Sequence, residues 1–255
     1  MADNLPGSST LPITGLPYGG VFPLVIVCGD QDRAGRISSL LDSKKELSRR
    51  REYHAYNGEF NGIALTVCSH GVGAPGAAIV FEELVAAGAR IIIRVGTCGG
   101  MQESIHDGDL VIATAAVQNT GYGCENFPPG YPASADYKVI QALVQAAGEL
   151  GFPARTGLVL TRDVFYVSKS APAHTPDYLQ LSRAGVLAVE MECAALFQIG
   201  NLHGVCTGAV LAVDGNVLES AESFNTYSPD RQVVHKAVEQ AIQTGLNSLR
   251  FLKDE

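Results

Sequence analysis

One apolar run of this chain ends in residues that could bind a charged group. In "ARIIIRVGTCGG" (89–100), three isoleucines precede Arg94, and a loop of small residues containing Thr97 follows. An arginine side chain keeps its charge at all ordinary pH values, and no acid lies beside Arg94 in the sequence. If the run is a buried strand, the guanidinium needs a partner from elsewhere, either an acid that the fold brings close or a bound anion.

Other apolar runs end in comparable residues. The first ends in "CGDQDR", with Gly29 and Arg33, and later ones end in "TRDVFY", "VEMEC" and "VDGN". Ligands of open α/β sheets bind at the carboxyl ends of the strands, so we expect these residues at one edge. Two arginines, a hydroxyl and glycines with accessible backbone N–H groups suit an oxyanion such as phosphate. The later segments add carboxylates and an aromatic ring.

Each of these residues also has a purely structural interpretation. The glycine loop could be a tight turn, and Asp214 could be a turn residue. Glu190 and Glu192 could favour the start of a helix by opposing its dipole, and Phe165 could be part of the core. The histidines are dispersed and are interpreted as structural or solvated. Since no His, Cys and acid cluster has metal-ligand spacing, we expect no metal.

The elements that must position these residues alternate along the chain. Strands are predicted over 23–30, 63–69 and 109–117 and at "RIIIRVG", "ARTGLVLT" and "VCTGAVLAVDG". Helices are predicted at "IVFEELVAAG", ending at Gly88, over 134–150 with Ser134 as N-cap, and over 229–252. This alternation predicts a three-layer α/β/α fold with a central mixed, mostly parallel sheet. We expect one domain, 21–255, after an irregular arm, 1–20.

Composition excludes several classes of function. The 255 residues carry a net charge of −8, and the densest basic run is Arg49, Arg50 and Arg51. Such a balance argues against a nucleic-acid or membrane partner. No Lys or Arg precedes Arg33, so the start lacks the charged region of a signal peptide. With six scattered cysteines and no CxxC pair, we expect a cytoplasmic location.

Seven segments together resemble one enzyme family. In chain order they are "GDQDR", "REYHAYNGEFNG", "SHGVGAPGAAIVFEEL", "IIIRVGTCGG", "TRDVFY", "AVEMECAAL" and "LAVDG". They are similar to the nucleoside phosphorylases, the family of hexameric purine nucleoside phosphorylases and uridine phosphorylases. The resemblance runs from about Val25 to Gly215 and looks closest to the apicomplexan-type purine enzymes and to archaeal relatives.

The resemblance implies a phosphate site and an assembly. Phosphate would be bound by Gly29, Arg33, Arg94 and Thr97, together with Arg51 donated by a neighbouring subunit across a dimer interface. The partners implied are a nucleoside, inorganic phosphate as co-substrate and further copies of the chain, in a hexamer built as a trimer of dimers. No cofactor is implied.

The resemblance also implies a nucleoside site. Glu192 would accept hydrogen bonds from the ribose hydroxyls, with Met191 against the sugar and Glu190 as a weaker candidate. Phe165 or Tyr166 would stack on the base. Asp214 would donate a proton to the purine N7, which favours purines of the inosine and guanosine type over uridine.

Some positions depart from the family pattern. The family has a histidine sixteen residues before the glycine of the "GD" turn, and that position here is Ile13. An apolar residue there predicts a preference for 5′-methylthioadenosine over adenosine. Arg162 stands where relatives usually have a small residue. Bacterial members have an arginine at a set spacing after the aspartate, which assists it; no arginine has that spacing here, and whether Arg231, further along the chain, could take its place is open. The alternatives are a uridine or 5′-methylthioadenosine phosphorylase, a nucleosidase, and a non-catalytic nucleoside-binding relative.

Overall fold

The computed structural model describes residues 9–166, 176–219, 227–228 and 230–253. Its strands are β1 (Leu24–Cys28), β2 (Asp42–Arg50), β3 (Tyr53–Phe60), β4 (Ile63–Ser69), β5 (Ile91–Gly100), β6 (Leu110–Asn119), β7 (Ala133–Ser134), β8 (Ala154–Arg162), β9 (Val186–Glu190) and β10 (Cys206–Asn216). Its helices are α1 (Gln31–Ser38), α2 (Ala74–Ala87), α3 (Gly121–Asn126), α4 (Tyr137–Glu149), α5 (Tyr178–Arg183), α6 (Cys193–His203) and α7 (Gln232–Ser248), and a 3-10 turn covers Leu249–Phe251.

The strands form one mixed sheet. Their order is β10-β6-β8-β9-β5-β1-β4-β3-β2, with β7 paired to β6. Strand β10 also pairs with β5 in parallel, so β5, β10, β6, β8 and β9 form a closed cycle of pairings. The parallel neighbours β4, β1, β5 and β10 all end on the same side. Their carboxyl ends therefore meet, as the sequence predicted for the site residues.

Apolar side chains cover both faces of the sheet. Along β5, Ile92 packs on the face covered by α2 and α6, whereas Ile91 and Ile93 pack on the face covered by α1, α4 and α7. Burial on both faces explains why β1 and β5 are continuous apolar runs and do not alternate. The predicted three-layer α/β/α arrangement is confirmed.

Some element ends differ from the sequence prediction. Helix α4 does not begin at Ser134, which lies in β7; its N-cap is Asp136, whose carboxylate accepts from the backbone N–H groups of Lys138 and Val139. Ser134 instead pairs with Ala115 of β6, and aspartate is as good an N-cap as serine. Gly88 ends α2 in the left-handed region, with φ 119°, as predicted. The closing helix is shorter than 229–252.

The hairpin of β2 and β3 was not predicted as strands. Strand β2, "DSKKELSRR", is mostly exposed and lies at the edge of the sheet. Charged side chains are common on edge strands because they prevent pairing with other chains. Apolar patterning, which identified the central strands, is therefore missing here.

The described part of the arm, from residue 9 to residue 20, packs onto the body. Leu11 and Leu16 are buried. The carboxylate of Glu83 on α2 accepts from the backbone N–H groups of Ile13 and Thr14, at 3.0 and 2.7 Å. The arm therefore has a fixed position against α2. Of the helices that the structure describes, none has the length and apolar character to cross a membrane.

Candidate active site

A cavity of about 390 Å³ opens at the carboxyl ends of the central strands. Most of the predicted site residues line it together: Gly29, Arg33, Arg94, Thr97, Phe165, Glu190, Met191, Glu192 and Asp214. They come from five separate strand ends, so the sheet topology alone brings them together. Arg51 and Tyr166 are not part of this lining.

Arg94 lies at the centre of the site in an ion-pair network. Its Nη2 is 2.6 Å from Oε2 of Glu192 and 3.4 Å from Oε2 of Glu190. Burial would lower the pKa of Arg94, but these carboxylates outweigh it and hold the pKa above its usual value. The fold thus supplies the acidic partner that the sequence left open. A Cβ at Gly96 would be 2.6 Å from Cζ of Arg94, which explains the glycine.

Glu190 is a structural carboxylate at the start of α6. Its oxygens accept from the backbone N–H groups of Glu192 and Cys193, at 2.8 and 2.9 Å, and from the hydroxyl of Thr161. Its side chain is fully buried. These contacts match the helix-start interpretation and leave little of Glu190 for a sugar.

Glu192 faces the cavity with a different set of partners. Its Oε1 accepts from the backbone N–H of Gly73 at 2.6 Å, and its Oε2 pairs with Arg94. Burial raises the pKa of Glu192, and the charge of Arg94 opposes that rise. With one oxygen in each bond, Glu192 is positioned by α2 and by β5 together. A carboxylate so placed can accept hydrogen bonds from sugar hydroxyls.

His70, which sequence reasoning grouped with the structural histidines, holds Arg94 from its other side. Nδ1 of His70 is 2.8 Å from the carbonyl oxygen of Gly71, and Nε2 is 3.1 Å from Nη1 of Arg94. The carbonyl can only accept, so Nδ1 carries the proton and Nε2 accepts. Burial, assisted by the charge of Arg94, holds the pKa of His70 well below its usual value. The histidine is therefore a neutral acceptor.

Arg33, Thr97 and Gly29 form one end of the cavity. Nη1 of Arg33 donates to the carbonyl of Val95 at 3.3 Å, and burial lowers the pKa of Arg33. Its Nε is buried and has no hydrogen-bond partner within the described residues. A Cβ at Gly29 would be 3.1 Å from the carbonyl oxygen of Gly71, so the backbone there passes close to a second strand end. Donors without partners suit an anion.

Asp214 lies at the bulge of β10 and is almost fully buried. Tyr227 donates from its hydroxyl to Oδ2 of Asp214 at 3.0 Å. Burial raises the pKa of Asp214 to about 6, although the hydrogen bond from Tyr227 opposes the rise. The carboxyl therefore exists partly in its acid form near neutral pH and can donate a proton.

Tyr227 and Arg231 are contacts of Asp214 that sequence reasoning did not assign. The ring of Tyr227 packs edge-on against Phe165, with centroids 5.0 Å apart. Nη2 of Arg231 donates to the backbone carbonyl of Asp214 at 2.6 Å, and Nη1 pairs with Asp107. Arg231 therefore does reach Asp214, but it binds the backbone carbonyl. The side-chain carboxyl of Asp214 is bound by Tyr227. The sequence had raised Arg231 without placing it, and its spacing gave no sign of Tyr227.

Two further predicted residues, Arg51 and Tyr166, do not line the cavity. Arg51 is exposed, with φ 52° in the turn between β2 and β3. Tyr166 is 44% exposed and packs edge-on against Phe165, at 4.9 Å between centroids. Phe165 itself lines the cavity, so of the two aromatic candidates it is the one whose ring is accessible from it.

Arg162 lines the same cavity and is 4% exposed. It ends β8, beside Phe165, and was noted in the sequence only as a departure from the family pattern. No three His, Cys, Asp or Glu side chains of the described residues gather as they would around a metal ion.

The family follows from comparison of the whole chain. A model described as "Phosphorylase superfamily" matches residues 23–250. The chain belongs to this superfamily. The superfamily membership accounts for the order of the seven sequence segments and confirms the resemblance to the nucleoside phosphorylases.

Relatives within the phosphorylase superfamily carry two kinds of name. A uridine phosphorylase of Thermococcus kodakarensis is 38% identical over 78% of this chain and 74% of its own. A purine nucleoside phosphorylase of Plasmodium vivax is 39% identical over 82% of this chain and 85% of its own. The crystal structure of purine nucleoside phosphorylase from Toxoplasma gondii in complex with immucillin-H superposes with a TM-score of 0.90, at 32% identity, over 98% of this chain and 99% of that one.

Proposed function

We propose that this chain is a nucleoside phosphorylase that acts on purine nucleosides of the inosine and guanosine type. Its products would be the free base and ribose 1-phosphate. The observation that carries the purine assignment is Asp214, a buried carboxyl with a pKa of about 6 in the same cavity as Arg33 and Thr97. A purine leaving group has a basic ring nitrogen, N7, to which such an acid can donate.

The reaction is a displacement at the anomeric carbon. A phosphate oxygen forms a bond to C1′, while the bond from C1′ to N9 breaks and its electron pair goes to the base. The base takes a proton at N7 from Asp214, and the proton that the attacking phosphate loses restores the acid. Inorganic phosphate is a co-substrate, and no cofactor takes part.

Arg33, Thr97 and the backbone at Gly29 suit the phosphate end of this reaction. Donors held in place there would orient the nucleophile and remove much of the entropic barrier. Arg94 contributes positive charge next to them, and its Nε has no hydrogen-bond partner in the part of the chain that is described.

Glu192 and Met191 suit the sugar. Positive charge builds on the ribose ring as the glycosidic bond breaks, and a fixed carboxylate nearby stabilises it. Glu192 is fixed by Gly73 and Arg94, and this fixed geometry spares the reaction the cost of reorientation. Glu190, the weaker candidate for the sugar, is occupied by the backbone N–H groups at the start of α6.

A base-release assay tests the proposal. Inosine, guanosine, adenosine, 5′-methylthioadenosine and uridine are each incubated with and without phosphate, and free base is measured. We expect release from inosine and guanosine that requires phosphate. Turnover of uridine alone would overturn the purine assignment, and release without phosphate would indicate a nucleosidase. The comparison of 5′-methylthioadenosine with adenosine tests the expectation that rests on Ile13.

A further inference from the structure

Arg162 is a cation in the candidate site for which neither the phosphate nor the sugar gives a use. It ends β8, where Asn119 is its register partner on β6, and it lines the cavity together with Phe165 and Val164. Since Phe165 is the candidate residue for stacking on a base, Arg162 lies at the base end of the cavity.

Tyr178 holds the guanidinium. Nη1 of Arg162 bonds to the hydroxyl of Tyr178, and Cζ lies 5.6 Å from the centre of the tyrosine ring. Tyr178 begins α5, whose N-cap is Asp177. The side chain of Arg162 is thus held by α5, and its guanidinium stays buried.

The charge of Arg162 has no carboxylate to balance it among the described residues. The adjacent acid, Asp163, instead accepts from the backbone N–H of Gly121 at 2.7 Å. Arg94, by contrast, pairs with two carboxylates. In addition, Nε of Arg162 is buried and without a hydrogen-bond partner in those same residues. A buried cation with donors left over is costly unless a ligand supplies an acceptor.

We infer that Arg162 is the specificity-determining residue of the base site: its guanidinium donates to a carbonyl oxygen of the base, so that the site takes 6-oxopurines and rejects adenine. The inference rests on the proposed function, because it assumes that a purine occupies the end of the cavity beside Phe165. A guanidinium has donors and no acceptor, and the amino group of adenine would leave it unsatisfied. Sites built around such a bond discriminate strongly against analogues that lack the acceptor.

The same contact favours the transition state. The base gains negative charge as the glycosidic bond breaks, and part of that charge lies on the carbonyl oxygen. A hydrogen bond from a fixed cation strengthens as the charge develops. Loss of Arg162 would therefore lower kcat for oxopurine nucleosides, and not merely raise KM.

The test compares Arg162→Met with the wild type on three nucleosides. Inosine presents the carbonyl oxygen, purine riboside has only hydrogen at that position, and adenosine presents an amino group. We expect kcat/KM for inosine to fall by roughly 10- to 100-fold, with most of the loss in kcat. For purine riboside and adenosine kcat/KM should not fall, because no hydrogen bond is lost there, and adenosine should gain because the unsatisfied donor is gone. Arg162→Lys should restore part of the inosine activity.

A matched control comes from the same strand. Arg155 is exposed near the other end of β8, where it reaches the carbonyl of Ser104, so Arg155→Met should leave all three rates unchanged. Tyr178→Phe, which keeps the ring and removes the hydroxyl, should produce a smaller loss that is again confined to inosine. An equal loss on all three nucleosides would overturn the inference, as would no loss on any.

Failure of the inference and failure of the proposed function are separable. If the wild type cleaves uridine only, the purine proposal is wrong, and an inosine-selective role for Arg162 is wrong with it. If the wild type cleaves inosine and Arg162→Met loses all substrates alike, the proposed function stands and the inference alone fails. Calorimetric binding of hypoxanthine and of unsubstituted purine gives a second readout: for a variant that folds but does not turn over, only hypoxanthine binding should weaken.

Discussion

At the residue scale, burial and hydrogen bonding act on Asp214 in opposite directions. Burial favours the neutral acid, whereas the hydroxyl of Tyr227 donates to the charged form and favours that. The charged neighbours that also act on this carboxyl are Arg33 and Asp107, and Arg231 reaches its backbone. The resulting pKa of about 6 places the acid close to the pH at which it would work.

The pH dependence of phosphorolysis tests this balance. If protonated Asp214 is the acid, kcat/KM for inosine should fall as pH rises above about 6, since the protonated fraction falls about tenfold per pH unit. Tyr227→Phe removes a bond to the charged form, so the pKa of Asp214 should rise and the fall should begin at higher pH. Rates measured from about pH 5 to about pH 9 check both statements.

Asp214→Asn is the control for that profile. The amide does not titrate, so any pH dependence that remains belongs to phosphate and other groups. We expect inosine turnover to drop by roughly 100-fold or more, the usual contribution of a general acid. Unchanged turnover would remove Asp214 from the mechanism, and a Tyr227→Phe profile displaced to lower pH would contradict the direction of the hydrogen-bond effect.

At the element scale, the first turn of α6 decides what its neighbouring acids do. Glu190 is the last residue of β9 and bonds to the N–H groups that open the helix. Glu192, two residues on, reaches into the cavity. From the sequence, either acid could stabilise the helix start or bind the sugar. In the structure Glu190 bonds to the helix start, and Glu192 is the acid that faces the cavity.

Glu190→Gln should therefore reduce stability more than it changes sugar recognition. The substitution removes one of the two negative charges that neutralise Arg94. It also places the donor NH2 group of the glutamine near backbone N–H donors. We expect the free energy of unfolding to fall by about 3 kcal/mol. Denaturant unfolding measures it. Glu82→Gln is the matched control, since Glu82 makes an exposed pair with His203 and should cost less than about 1 kcal/mol. A fully stable Glu190→Gln variant with a raised KM for inosine would return Glu190 to the sugar site.

At the scale of the whole molecule, Arg51 remains a prediction about assembly. It is exposed and outside the cavity of its own subunit. Its carbonyl accepts from the side chain of Gln31 at 3.1 Å, which fixes the turn that presents it. A role in binding phosphate thus requires a second copy of the chain, as the resemblance implied.

Mixing two inactive variants tests the shared site. Arg51→Ala lacks the donated arginine, and Asp214→Asn lacks the acid. In a mixed dimer, one of the two sites has both groups intact. Random mixing makes about half of the dimers mixed, so about a quarter of the wild-type activity should return. Activity is measured after joint refolding. Absence of any recovery, with mixed oligomers present by mass, would show that Arg51 does not serve a neighbour.

The sequence by itself determined the alternation of strands and helices and the residues at the strand ends, because apolar periodicity and glycine punctuation are local properties. It also indicated the family, through seven segments in order. It missed the β2–β3 hairpin: β2 is an edge strand that exposes its side chains and loses the apolar pattern, whereas β3 is an inner strand with several buried side chains.

Only the tertiary structure decided which acid pairs with Arg94, which tyrosine touches Asp214 and which charge is left unbalanced at Arg162. Arg94 and its carboxylates are about a hundred residues apart in the chain, and no local pattern links Asp214 to Tyr227. Burial, charge balance and hydrogen-bond direction depend on what the fold brings within a few ångströms, and one sequence does not specify those distances.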